Sequence, residues 1–420
     1  MAEKTRTVAR HATPAPGFVE FVVLMAAAMG LSSLSIDNVL PAFAAVGEAL
    51  SVADANDLQY LVYVYMVGFA LAQIVYGPLA DMVGRRRAMQ IGLVVYAAGS
   101  LAAVLATTFP LLLAGRLVQG IGAAAARVVT LTIVRDRYSG HEMARVMSFV
   151  MMVFLIVPVF APAIGSLFLL LGGWRAVFAS MLGMAVLLAA AYALRLPETL
   201  PPERRMAPSA RRLLGAVKAI VTSRATLGYA TALGLLFGAL MGYIGSSQQI
   251  FATRVYGLGA LFPLVFGALA GGMTVASLLS ARVVRHIGMR RLSHLSLTVF
   301  LAVSAALVVL SFVYAGKPPL PVFAGLLGVL LFAFAIAVPN FNAIAMEPLG
   351  AVAGTASSLI GCYTTVLGAA VGAIVGQAFD DTVVPLCLGF LVLGGLAFAV
   401  VAWTERGALF RGPFEPRAGA

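Results

Sequence analysis

Charge is what this chain has least of. Only 10% of its residues are charged and 61% are apolar, whereas soluble globular proteins carry about 25% charged residues, so a water-soluble globular fold is excluded. Cysteine is nearly absent. Cys362 and Cys387 both fall in long apolar runs, where packing as small apolar side chains is expected rather than a structural disulfide. The motifs of nucleotide and metal chemistry are missing too. No Gly-Lys-Ser/Thr phosphate loop occurs, His141-Glu142 lacks the second histidine of a zinc protease helix, and Gly120-Ile121-Gly122-Ala123-Ala124-Ala125 imitates a dinucleotide fingerprint inside an apolar helical run instead of after a strand. Neither catalytic residues, nor a metal, nor a cofactor is expected. Without an ATP site, uphill work has to draw on an ion gradient.

What the chain has is apolar length. Runs of roughly 20 residues or more, enough to span a bilayer, lie near 18–44, 57–80, 88–108, 110–134, 146–171, 175–196, 225–251, 260–281, 292–314, 320–346, 351–379 and 383–403. These predict an all-α, multi-pass membrane protein of twelve helices. The triplet Ala42-Phe43-Ala44 mimics a signal-peptidase site, but the run before it is far longer than a 7–15-residue signal core, so span one is expected to be retained. The net charge of +12 is unevenly placed. Alternate connections and both tails hold 23 lysines and arginines, and the other side holds Arg175, Arg254 and Lys317 only. Lysine and arginine favour the cytoplasmic side. Both termini are therefore predicted to be cytoplasmic, and the basic balance is assigned to topology and not to nucleic acid.

The connection 197–224 carries Pro197, Pro201, Pro202 and Pro208 among basic residues and divides the spans six and six. The predicted organisation is a cytoplasmic tail 1–17, a six-helix bundle 18–196, a cytoplasmic linker 197–224, a second bundle 225–403 and a cytoplasmic tail 404–420. Within the linker, Arg211 to Lys218 is either an amphipathic helix on an anionic leaflet or a solvated loop. The halves echo each other: aligning the loop after span two with that after span eight matches Gly84 to Gly288, Arg86 to Arg290 and Arg87 to Arg291, while Asp81 meets Arg285. Pseudo-symmetric halves are the mark of transporters with a site between them at mid-membrane.

The loop itself, Gly77-Pro78-Leu79-Ala80-Asp81-Met82-Val83-Gly84-Arg85-Arg86-Arg87, packs an acid, two glycines and three arginines between apolar runs. A second pattern, Leu112, Arg116, Gln119, Gly120 and Gly122, lies in span four. On these motifs the chain resembles the major facilitator superfamily, and within it the Bcr/CflA group of twelve-span drug/proton antiporters. Weaker matches are Asp37 with Pro41 in span one, Pro158, Pro162 and Gly165 in span five, Trp174-Arg175, Pro339-Asn340, and Gly354 to Ser357 opening span eleven. Ala161 stands where the antiporter pattern often has glycine. The resemblance implies two pseudo-symmetric six-helix bundles, a tie between Arg116 and proton coupling, and a loop, Gly77, Asp81, Gly84, Arg85, Arg86 and Arg87, that holds the halves together at the gate.

Three ionisable residues fall inside spans, where each costs about 2.5–3.5 kcal/mol at a helix centre: Asp37, Arg116 and Arg127. Asp37 and Arg116 are expected at similar depth, close enough that they could pair, with Asp37 either a proton carrier or half of a static ion pair that holds the first bundle together. Pro41 has no N–H for the Asp37 carbonyl, so a kink is predicted at the acid. Arg116 and Arg127 lie three turns apart on one face with Gln119; Arg127 binds either an anionic part of a substrate or a backbone carbonyl. Asp81, at a helix C-terminus, is expected to dock on the start of span eleven. Pro158 and Pro162 bend span five, as part of a moving interface or as a passive kink. Gln119, Asn340 and Gln248 are candidates for the cavity wall, as are Asn342 and Gln249, though helix-to-helix bonding is the commoner fate of such residues; Tyr63, Tyr65, Phe154 and Phe160 are aromatic candidates.

The expected function is proton-coupled efflux of small organic molecules by alternating access in a bacterial inner membrane, as a monomer. Its partners are the substrate, protons and the lipid bilayer, with the proton gradient as energy source. A proton-coupled uptake symporter, an uncoupled facilitator and a non-transport receptor are the alternatives. Met29 stands near where some such exporters carry a second acid, and two buried arginines against one acid favour neutral or anionic cargo over lipophilic cations.

Overall fold

The computed structural model describes residues 16–207 and 209–410. The predicted tail 1–17 therefore lies almost wholly outside the described residues, as do Pro208 and the end of the second tail from 411 onward.

Every membrane-length element among the described residues is a helix, as a bilayer requires of chain that must satisfy its own backbone hydrogen bonds. Span one is Phe18–Asp37, followed by a 3-10 turn Leu40–Ala42 holding Pro41 and a short helix Phe43–Ala49. Spans two to four are Tyr60–Val83, Arg85–Val104 and Phe109–Arg137. The next helix runs Gly140–Arg195, 56 residues, far more than one bilayer crossing. It turns back at Gly172 and Gly173, whose φ/ψ leave the helical region, with Gly173 at φ 71°. Among the described residues eleven helical stretches are long and apolar enough to cross a membrane, and this hairpin supplies two of the twelve expected spans. Spans seven to twelve are Arg224–Ser247 with a π-helical end Gln248–Arg254, Phe262–Ile287, Met289–Val313, Leu320–Met346, Ala353–Gln377 and Val384–Thr404.

Close backbone approach joins span four to its neighbours. A Cβ on Gly120 would strike the Tyr65 carbonyl of span two, and one on Gly122 would strike Tyr96 of span three. Side chains then fix the register: Tyr192 of span six donates to the Leu24 carbonyl of span one (3.1 Å), and Gln119 of span four reaches Ser100 of span three (2.8 Å). In the second half Asn340 of span ten donates to Ser280 of span eight (3.1 Å), and Tyr229 of span seven to Glu405 beyond span twelve (2.8 Å). The halves meet along spans two and eleven and along spans five and eight.

The linker contains a helix, Ala210–Thr222, with Leu214, Val217 and Val221 exposed and Ala216 buried; of the two sequence readings, the structure takes the helical one. The repeat is visible in backbone geometry. Gly84 (φ 98°, ψ 157°) and Gly288 (φ 84°, ψ 151°) each end one span and begin the next in the left-handed half of φ space, which favours glycine.

Candidate functional site

The loop 77–87 is held by carboxylates from distant chain. Arg85 bonds Asp81 one turn earlier (2.5 Å) and Asp136 at the end of span four (2.8 Å). Glu198, just past span six, accepts from the backbone N–H of Arg85 (2.8 Å) and Arg86 (3.3 Å). It caps the positive N-terminus of span three, where an anion is favoured. Arg86 donates to the Ala193 carbonyl of span six. The second half repeats the clamp with different residues: Arg290 bonds Glu347 at the end of span ten (2.9 Å) and Glu405 past span twelve (3.2 Å).

Asp81 has no hydrogen bond to span eleven in this conformation. Its carboxylate is engaged by Arg85, while Thr355 of span eleven lines the same groove of about 280 Å³, with Pro78, Met206 and Arg212. Gly77 faces Ser358 of span eleven. Arg87 is exposed.

The centre of the first bundle is built around Arg116. It is fully buried and donates from Nε to the Leu61 carbonyl (2.8 Å), from Nη2 to the Ser35 carbonyl (3.0 Å) and from Nη1 to Gln119 Oε1 (2.5 Å). Its guanidinium also sits 4.4 Å from the centroid of the Tyr65 ring. Tyr65 in turn donates to the Ser32 carbonyl (3.0 Å). These bonds fix the last turns of span one, where the α-helix stops at Asp37. Asp37 is 4% exposed, makes no ion pair with Arg116, and its buried Oδ1 has no hydrogen-bond partner among the described residues. The adjacent Asn38 amide is buried without partners, its residue seated on Gly165 of span five. Similar depth for Asp37 and Arg116 holds, since Arg116 binds span one two residues before the acid; the direct pair does not form.

Gln119, expected on the cavity wall, lies in the packed core instead, between Arg116, Ser100 and Met181. Asn340 is likewise spent on packing bonds, one across to Ser280 of span eight and one to the Ile336 carbonyl a turn back in its own helix. Gln248 is buried at the start of the π-helical turn and makes no hydrogen bond among the described residues. Pro158 and Pro162 lie on the stretch of span five that touches span eight, where Thr274 donates to the Leu155 carbonyl (2.9 Å). Phe160 is exposed, Phe154 packs against the core, and both cysteines are free and buried.

The sequence reading missed a clasp at the end of the molecule opposite the loop. Gln59 donates to Gln249 (2.7 Å) and to the Gly376 carbonyl (2.9 Å). Asn56 donates to the Phe379 carbonyl (2.9 Å), and Gln377 and Gln249 reach back to Asn56 (2.7 and 2.6 Å). Tyr63 adds a bond to the Gly372 carbonyl (3.1 Å). The signal was a run of amides at the ends of spans two, seven and eleven.

The sequence profile described as Major Facilitator Superfamily matches residues 25–373. An uncharacterized MFS-type transporter, YdgK of Bacillus subtilis, is 29% identical over 374 residues, 88% of this chain and 92% of its own length. A bicyclomycin resistance protein homolog of Haemophilus influenzae is 27% identical over 369 residues, 87% of this chain and 91% of its own. Among solved structures, the xylose transporter XylE from E. coli, in a partially occluded inward open conformation, superposes with TM-score 0.72 at 14% identity, covering 96% of this chain and 99% of that one.

Proposed function

The chain belongs to the Major Facilitator Superfamily, a family of transporters and not of enzymes, and from that premise we propose that it exports small organic molecules in exchange for protons by alternating access. The observation that carries this reading is Asp37. Its buried Oδ1 has no partner among the described residues, while Arg116 is turned to Leu61, Ser35 and Gln119. A carboxyl free of a fixed ion pair can take and release a proton without first breaking one. Arg116 positions it by holding the end of span one. The resistance name of the Haemophilus relative supports a drug-like cargo.

The moving bodies are the bundles 18–196 and 225–403, joined by the linker 197–224, in a bacterial inner membrane with both termini cytoplasmic; the protein works as a monomer. The amide clasp then closes the outer side, and Asp81 changes partners from Arg85 to the start of span eleven when the inner side closes. One proton crossing 100 mV releases about 2.3 kcal/mol, enough for roughly fiftyfold accumulation. Inside-out vesicles with an acidic lumen test the direction. Antiport accumulates substrate in the lumen and drains protons from it; accumulation only when the acid is outside would mean symport, and flux indifferent to the gradient would mean a facilitator.

A further inference from the structure

Two arginines of span four lie against one pair of stacked rings, and only one of them is satisfied. Arg116 has three acceptors and the Tyr65 face. Tyr65 stacks on Phe69 one turn on (centroids 6.2 Å, interplanar 18°), and the Arg127 guanidinium stands 5.9 Å from the Phe69 centroid. Arg127 is half-buried, and its side chain, among the described residues, makes no hydrogen bond and no ion pair.

Its depth excludes a solvated surface role. Arg127 lies ten residues before the end of Phe109–Arg137, about 15 Å along the axis. Side chains on a helix lean toward its N-terminus, and Phe69 is packed beside Gly120, seven residues earlier on the same face. The guanidinium is therefore drawn toward the middle of the span and away from the nearer end, the reverse of snorkelling. Gln73, one turn past Phe69, is 3% exposed, and its buried Nε2 also lacks an acceptor. Both polar groups flanking Phe69 thus have donors to spare. A planar guanidinium fork matches a carboxylate with two parallel hydrogen bonds.

We propose that Arg127, with Phe69 beneath it, is a subsite for the carboxylate of an organic-acid cargo. Of the two roles open from the sequence, the carbonyl partner is absent among the described residues. The inference deepens the export reading and depends on it only for the direction of transport, since binding is measured without a gradient. Exchange of a proton inward for an anion outward moves two charges per cycle, so export of such a cargo responds to membrane potential as well as to pH.

Nalidixate and its methyl ester, which share a skeleton and differ in the charge, are the probes. Their binding to the purified full-length protein is measured by calorimetry. The wild type is expected to bind the acid about tenfold more tightly than the ester. Arg127→Gln removes that preference and leaves ester binding unchanged, and Arg127→Lys, which keeps the charge without the fork, retains part of it. A wild type with no preference for the anion, or an Arg127→Gln variant that keeps it or weakens both ligands equally, overturns the subsite. In proteoliposomes, flux of both compounds that ignores a pH gradient overturns the coupling reading and leaves the binding preference standing.

Discussion

Arg116 and Arg127 grip opposite ends of one aromatic stack, Tyr65 and Phe69, with guanidinium-to-centroid distances of 4.4 and 5.9 Å. The two cations differ in their hydrogen bonds. Arg116 is a strut between spans one, two and four; Arg127 has its donors open.

The strut has a stability consequence. Replacing Arg116 by Lys keeps a charge but cannot reach the Leu61 carbonyl, the Ser35 carbonyl and Gln119 together. Buried acceptors left unpaired cost about 1–3 kcal/mol each. The variant is expected to lose several degrees of thermal stability in detergent, whereas Gln119→Glu, which keeps an acceptor for Arg116 and adds a charge while giving up the donor to Ser100, retains more of it; scanning fluorimetry checks both.

Gly84 is constrained twice, by φ 98° and by the Glu198 carboxylate, which a Cβ would strike. Gly84→Ala is expected to cost about 1–3 kcal/mol and to loosen the cap on span three. Glu198→Gln, which keeps the shape but removes the charge from that N-terminus, is expected to cost about 0.3–1 kcal/mol. Thermal shifts of the two variants, and of the pair together, give the coupling.

The far clasp is built from neutral amides, so it closes without desolvating a charge and without salt sensitivity. Gln59→Ala removes the bonds to Gln249 and Gly376. Spin labels at Ala53 and Asp380, which line one pocket across the halves, are expected to show a larger population of long distances by pulsed electron resonance in this variant. An unchanged distribution would leave the clasp without a gating role.

Asp81→Asn removes one of the two carboxylates on Arg85 and leaves Asp136. Normal insertion with transport slowed severalfold is expected, because the partner exchange with span eleven is lost. Unchanged transport would refute the latch.

Much of this was legible because each membrane helix declares itself locally. Apolar length placed the spans, and the match of Gly84 to Gly288 anticipated a shared backbone conformation at positive φ. What was not legible depends on which distant residue arrives. Glu198 and Asp136 read as ordinary polar residues of connections until the fold brings them to Arg85. Gln119 shares the helix face of Arg116, and periodicity gives a face without saying what covers it; spans three and six do. Whether Asp37 pairs with Arg116 was open from the sequence for the same reason, since the carbonyls of Ser35 and Leu61 that take the guanidinium carry no side-chain signature. The helix break at Asp37 was foreseen from Pro41, a local cause.

The central claim is that Asp37 carries the coupled proton, and gradient-driven transport by Asp37→Asn in proteoliposomes tests it most directly. The account predicts that the variant inserts normally and still exchanges substrate at equal concentrations, but no longer accumulates it when a pH gradient is imposed. Accumulation against a concentration gradient by Asp37→Asn, at a level set by pH as in the wild type, would contradict it.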